Sequence, residues 1–279
     1  FKVTNTATGK SVKIDKVKQM GEQYPFGGTA RLDFSQITEA GTYYITAGSA
    51  KSREFKIGKN VYAGANEVPL RYMRQQRCGF NPLFNDSCHT HDGRLVLSGK
   101  DDNKKVDVTG GWHDASDYLQ YLSTSANAVY QMLFAYSKNP QVWADEYLAN
   151  GLPGKNGTPD ILDEARWGLE WMVKMNPNDS TFYNQIADDR DHTFLGYPQN
   201  DTVDYGWGYG KERPVYPCCG EPYGLRKYKN DSKGLASSVG KFSSSFSLGA
   251  KVFEKIDAKF AEVLKAKAAN AYKVGKANP

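Results

Sequence analysis

The chain has 279 residues, of which 39% are hydrophobic and 24% charged, with a formal net charge of +5. No apolar run approaches the ~20 residues of a membrane-spanning helix. The lysines of residues 251–276 sit among Ala, Leu and Phe at helical spacing, which reads as a solvated helix face and argues against a nucleic-acid partner.

Residues 1–58 read as β. Apolar and polar residues alternate over 12–17, 30–34, 41–47 and 53–57, with Gly-rich breaks between them, which predicts short strands in a small sandwich. Residues 59–279 read as helical. A first helix is predicted over 71–77. A second runs from Asp117 to about Tyr136, with Leu119, Leu122, Ala126, Val129 and Leu133 on its apolar face. A third covers 142–149. A fourth covers 159–172, with proline and acidic residues at its start and Ile161, Leu162, Ala165, Leu169 and Met172 on one face. Two more follow over 234–256 and 259–274, while 98–108 and 176–233 read as loops. The expectation is a multidomain chain divided at 1–58 and 59–279.

The densest chemistry lies between Thr109 and Tyr121, where Gly110, Gly111, Trp112, His113, Asp114, Asp117 and Tyr118 fall together. One carboxylate where a loop becomes a helix is explained by capping of free N–H groups. Two aspartates three apart on a first helical turn share one side, and together they can hold and deprotonate a water. Trp112 is expected to buttress this loop, and Trp167 and Trp171 to pack between helices. Asp163 and Glu164 read as a favourable acidic first turn. Aromatics are in excess, with 18 Tyr and 5 Trp. Their flat faces suit sugar rings, although core packing is the commoner use of any single one.

The four cysteines are Cys78, Cys88, Cys218 and Cys219. Cys78, Cys88, His89 and His113 make a complete Cys2His2 set, which suits a closed structural Zn²⁺, though not at zinc-finger spacing. A Cys78–Cys88 disulfide with two solvated histidines is the alternative. Cys218 and Cys219 receive no role, and His91 reads as a loop residue. The charged run 188–192 (Asp188, Asp189, Arg190, Asp191, His192) offers a Ca²⁺ site or a cleft lining, but reads first as a solvated loop.

Gly110-Gly111-Trp112-His113-Asp114-Ala115-Ser116-Asp117 resembles the Gly-Gly-Trp-x-Asp-Ala-Gly-Asp signature of glycoside hydrolase family 9, with Ser116 in place of the glycine. These are inverting β-glucanases, mostly cellulases. The resemblance implies an all-α (α/α)6 toroid, of which roughly half fits in this chain. Residues 33–45 resemble the end of an immunoglobulin-like module that precedes many such domains, so a partial β-sandwich is expected, lacking its first strands. By the same resemblance Asp117 is the general base and Asp114 helps hold the water. Trp207 and Tyr205 match a region that lines the cleft. Cys78, Cys88, His89 and His113 match the zinc ligands of some bacterial members. The family's general acid is a late glutamate. No glutamate after Glu221 matches it, because Glu254 and Glu262 lie on Lys- and Ala-rich stretches. The acid is therefore expected outside this chain, on a longer polypeptide or a separate C-terminal fragment. The expected activity is inverting endo-β-1,4-glucanase action on cellulose, mixed-linkage glucan or xyloglucan. The alternatives are an exo-acting glucosidase or glucosaminidase of the same family, and a non-catalytic carbohydrate-binding protein. A polymeric β-glucan partner implies a secreted, periplasmic or cell-surface location.

Overall fold

The alternating segments at the start of the chain form strands: β1 (Lys2–Asn5), β2 (Ser11–Lys13), β3 (Val17–Gln23), β4 (Phe26–Leu32), β5 (Gly41–Ala47), β6 (Ala50–Lys51) and β7 (Phe55–Ile57). The computed structural model describes residues 1–218 and 235–278. Its chain divides into two compact units, Phe1–Asn66 and Glu67–Pro279. In the first, the sheet runs β2-β1-β5-β6, and β7 shares with β6 the outer edge of β5. Register places Val12 beside Val3, Val3 beside Ile45, and Tyr43 beside Phe55. One face is therefore an apolar row, and Val3, Ile14 and Tyr43 form its buried core. These strands form one five-stranded sheet and a separate two-stranded hairpin. β3 and β4 pair only with each other and stay largely exposed, Val17 and Phe26 included. The unit also reaches past residue 58 to Asn66, through turns closed by Ala63 on Asn60 and Ala65 on Tyr62.

The second unit contains α1 (Glu67–Gln75), β8 (Gly79–Asn81), β9 (Asp86–Cys88), β10 (Arg94–Leu95), β11 (Gln120–Tyr121), α2 (Leu122–Lys138), α3 (Asp160–Lys174), β12 (Tyr183–Ile186), β13 (Pro214–Pro217), α4 (Ala236–Phe253) and α5 (Ala258–Ala277). The long helices follow their apolar period. Leu122, Ala126, Val129 and Leu133 of α2 are buried, as are Ile161, Leu162, Ala165, Leu169 and Met172 of α3. They meet Val239, Phe242, Phe246 and Phe253 of α4 and Leu264 of α5 in one core. Small residues let the last helices close up: a Cβ on Gly249 would lie 3.0 Å from Leu264 Cδ1. Ser245 of α4 donates to the Ala126 carbonyl of α2. Most lysines of α5 are solvated, as expected, but Lys267 turns in and donates to the Asn176 carbonyl. None of the described helices is long and apolar enough to cross a membrane.

Three local expectations differ here, because backbone groups outside the long helices find partners that a continuing helix would not give them. The segments between the helices are not all loop. Short strands pair in the order β10-β13-β12-β11, and β8 pairs with β9, so part of 176–233 is sheet where a loop was expected. Residues 142–149 are not a helix but follow a 3₁₀ turn, Pro140–Val142. Asp160 accepts the N–H groups of Glu146 and Tyr147 at 3.1 and 2.9 Å, which diverts them from helical bonds. Finally, α2 begins at Leu122. Asp114 and Asp117 therefore sit on a loop closed by Asp114 N–H on Leu119 O at 2.8 Å, rather than on a first helical turn.

Candidate active site and metal centre

The residues after α1 run antiparallel to the loop that carries the aspartates. Cys78 N–H donates to Gly111 O and His113 N–H to Gln76 O, both at 2.9 Å, with Arg77 bridged to Trp112 between them. Gly111 makes this approach feasible. Its φ is +71°, and a Cβ there would lie 2.7 Å from the Trp171 ring. Trp112 is buried and donates to Glu164 at 2.8 Å, while Gly168 of α3 leaves room for its ring: a Cβ would fall 2.2 Å from Cη2. Trp112 buttresses the loop as expected, and Trp171 is core. Glu164 is a correction. Expected as a favourable acidic first-turn residue, it is instead a buried acceptor, held at 2.7 Å by Arg77 with both side chains 1% exposed.

The β8–β9 register sets Gly79 opposite Cys88, and this delivers Cys78, Cys88 and His89 to His113. The four ligand atoms lie within 4.8 Å of one another, the one such Cys/His group among the described residues. Both cysteines are free, so the disulfide alternative is not formed. Cys78 Sγ is 3.7 Å from His89 Nδ1, and Cys88 Sγ is 3.7 Å from His113 Nε2. A tetrahedral zinc with ordinary bond lengths sets sulfur and nitrogen about 3.6 Å apart, so the donor set and its spacing fit Zn²⁺. The surroundings fit as well. His89 Nε2 is 3.1 Å from Asp201 Oδ2, the carboxylate–histidine arrangement that orients a metal-bound ring. Arg213 donates to Cys78 Sγ at 3.5 Å. Burial works against ionisation of Asp201, but the bonds from His89 and the Val203 N–H outweigh it and hold its carboxyl below the usual range.

On the adjoining turn Asp114 is exposed. The Asp117 side chain is 18% exposed, with Oδ2 3.4 Å from His192 Nε2. Its Oδ1 is buried and accepts no hydrogen bond among the described residues. The next residue is gripped from both sides: Tyr118 N–H donates to Asp191 Oδ1 at 3.0 Å, and Arg213 donates to Tyr118 O.

A family profile described as Glycosyl hydrolase family 9 matches residues 62–279. The chain belongs to glycosyl hydrolase family 9. It is similar to Endoglucanase D of Acetivibrio thermocellus, 35% identical over 53% of this chain and 25% of that protein. The Cellodextrinase of Butyrivibrio fibrisolvens is 28% identical over 67% of this chain and 37% of its own length. The crystal structure of a metagenome-derived glycoside hydrolase family 9 endoglucanase superposes with a TM-score of 0.72 at 29% identity, covering 100% of this chain and 48% of that one. The chain thus spans about a quarter to a half of the relatives it matches.

Within this family 9 chain the other expected site residues divide. Trp207 is half-buried against Leu119, Ala187 and Tyr205, with the Arg94 guanidinium 5.1 Å from its ring centre. Tyr205 is a correction. It is 5% exposed and donates to Asp191 Oδ2 at 3.0 Å, so its ring has no free face for a sugar. The 188–192 run is not a solvated loop either. Asp188 and Asp191 are buried. Arg190 and Tyr216 hold Asp188 at 2.5 and 2.6 Å, while Tyr118 and Tyr205 hold Asp191. Those carboxylates serve protein donors, which removes the motive for a Ca²⁺ there. His91 is exposed in its loop, Cys218 packs against the core, and Cys219 and Glu221 lie outside the described residues. His192 is the contact of Asp117 that the sequence reading missed. Its only signal was a histidine inside a charged run.

Proposed function

We propose that this chain supplies the base side of an inverting β-1,4-glucanase site, with Asp117 as general base and Asp114 as a second holder of the attacking water. The observation that carries the reading is Asp117 itself. Its flanking backbone is clamped, its side chain is 18% exposed, and its Oδ1 accepts no hydrogen bond among the described residues, so the carboxylate is fixed in place and not tied up by donors that would keep it from accepting a proton from water. The general acid of an inverting pair stands ~6.5–9.5 Å away across the scissile bond. Glu254 and Glu262, both exposed near the α4–α5 turn and on α5, do not suit that role. Cys78, Cys88, His89 and His113 would hold a structural zinc that would tie α1 and the β8–β9 hairpin to the base loop. This metal supplies rigidity rather than a reaction step.

Endo action on a β-glucan polymer rests on the endoglucanase relatives, and such a substrate is met outside the cell or in the periplasm. The cellodextrinase relative, matched over a longer share of this chain, favours a second reading in which short cello-oligosaccharides are cleaved. An immunoglobulin-like origin of the first unit draws support from Tyr43, whose hydroxyl donates to Glu39 O, four residues upstream, at 2.9 Å. That is how a tyrosine corner pins such a module. The test is Asp117→Asn in the full-length polypeptide, assayed on cellulose, mixed-linkage glucan and cellohexaose. Loss of a general base lowers kcat by roughly 10²- to 10⁴-fold with the fold intact. Proton NMR of the wild-type reaction is expected to show the α-anomer first. Wild-type turnover in the variant rejects the assignment.

A further inference from the structure

Arg213 is among the largest fully buried side chains of the protein, and it touches both halves of the site. Its Nε and Nη2 hold Asp92 at 3.0 and 2.6 Å. Nη2 also reaches Gln120 Oε1 at 2.6 Å and Cys78 Sγ at 3.5 Å, and Nη1 donates to Tyr118 O. Gln120 passes the constraint on, since its Nε2 donates to Gly110 O at 2.7 Å. One guanidinium is therefore bonded to a metal-ligand sulfur, to the residue that follows Asp117, and to a side chain that grips the glycine turn before Trp112. Burial by itself would make this cation costly, but the Asp92 carboxylate holds it charged. A planar five-donor fork is the one side chain that can meet these partners at once.

We propose that Arg213 is the positioning residue that couples the metal centre to the base. It compensates the Cys78 thiolate that metal binding requires, and through Tyr118 O it sets where Asp117 points. Removing it loosens both together. The proposal rests on the reading of Asp117 as base and of Cys78, Cys88, His89 and His113 as zinc ligands. Asp92 orients the guanidinium and Gln120 relays its position, whereas Asp201 acts on the metal alone, through His89.

The experiment uses the full-length polypeptide carrying Arg213→Met, with zinc affinity read by competition against a chromogenic chelator and kinetics read at saturating zinc. Weakening of zinc binding by roughly 10- to 100-fold is expected, the usual cost of removing a partner of a metal ligand. At saturating zinc, kcat is expected to fall roughly tenfold or more with KM unchanged, as for a lost transition-state contact rather than lost binding. A merely structural role would lower the melting temperature without that split. Where Arg213→Met does not fold, Arg213→Lys carries the test. Lysine keeps the charge but cannot bridge sulfur and carbonyl together, so both quantities are expected to drop. Wild-type zinc affinity or wild-type kcat in the folded variant overturns the coupling. If the unmutated protein cleaves no β-glucan, the proposed function fails, and the zinc-affinity arm still judges the link between Arg213 and Cys78.

Discussion

The paired helices α4 and α5 and the loop that holds Asp117 lie in the same unit but are held by opposite means. The helix pair is apolar and local: Phe246, Gly249 and Phe253 face Ala261, Leu264 and Ala268 across a short turn. The site is polar and long-range. Arg213 meets Asp92 across 121 positions, His89 meets Asp201 across 112, and Arg77 meets Glu164 across 87. Apolar contacts are interchangeable, so a helix pair tolerates substitution at the cost of a cavity. Buried charges are not, because removing one leaves its partner unpaired in a medium that cannot solvate it. The difference separates what keeps this protein folded from what holds its chemistry in register.

The sharpest way to break that contrast is at the metal. Cys88→Ser removes one of the four side chains that would hold the zinc. Zinc stoichiometry by elemental analysis is expected to fall from one to near zero, with glucanase activity lost while helical circular dichroism persists. Unchanged zinc content would rule out the centre. Next is the buried ion pair. Arg77→Met leaves Glu164 unpaired and is expected to cost about 3–5 kcal/mol in urea unfolding, with tryptophan fluorescence reporting a looser Trp112. Within the apolar half, Leu133→Ala is expected to cost about 2–5 kcal/mol with zinc content untouched. A parallel loss of zinc would show that the two regions are not separable.

The smallest effect concerns Asp163, whose carboxyl burial pushes up to about 6. Its folded-state value stands above its unfolded one. The stability it contributes is therefore full below about pH 4 and is lost as pH rises through about 6. Asp163→Asn is expected to flatten that part of the melting-temperature profile. An identical profile would mean that the group titrates normally.

The faces of α2 and α3 were legible because a 3.6-residue period of large apolar side chains has one good burial solution. The cluster of Cys78, Cys88, His89 and His113 was legible because its residue types crowd into short stretches whose chemistry is narrow. Tyr205 was misread because an aromatic beside Gly and Asp looks the same in sequence whether its hydroxyl meets water or Asp191. Glu164 was misread for a similar reason: an acid in a first helical turn carries no sign of the arginine that packs on it from 87 positions away.

The sequence by itself determined where the long helices bury their faces, which four side chains form a zinc-type donor set, and which two aspartates occupy the glycine-tryptophan loop. These are properties of neighbours, written in period and residue type. Only the tertiary structure decided that the aspartates stand on a closed loop, that His192 faces Asp117, and that Arg213 contacts both Cys78 and the carbonyl of Tyr118. Those choices depend on which distant groups satisfy each buried charge and backbone donor, and that pairing is settled only when the whole unit has closed.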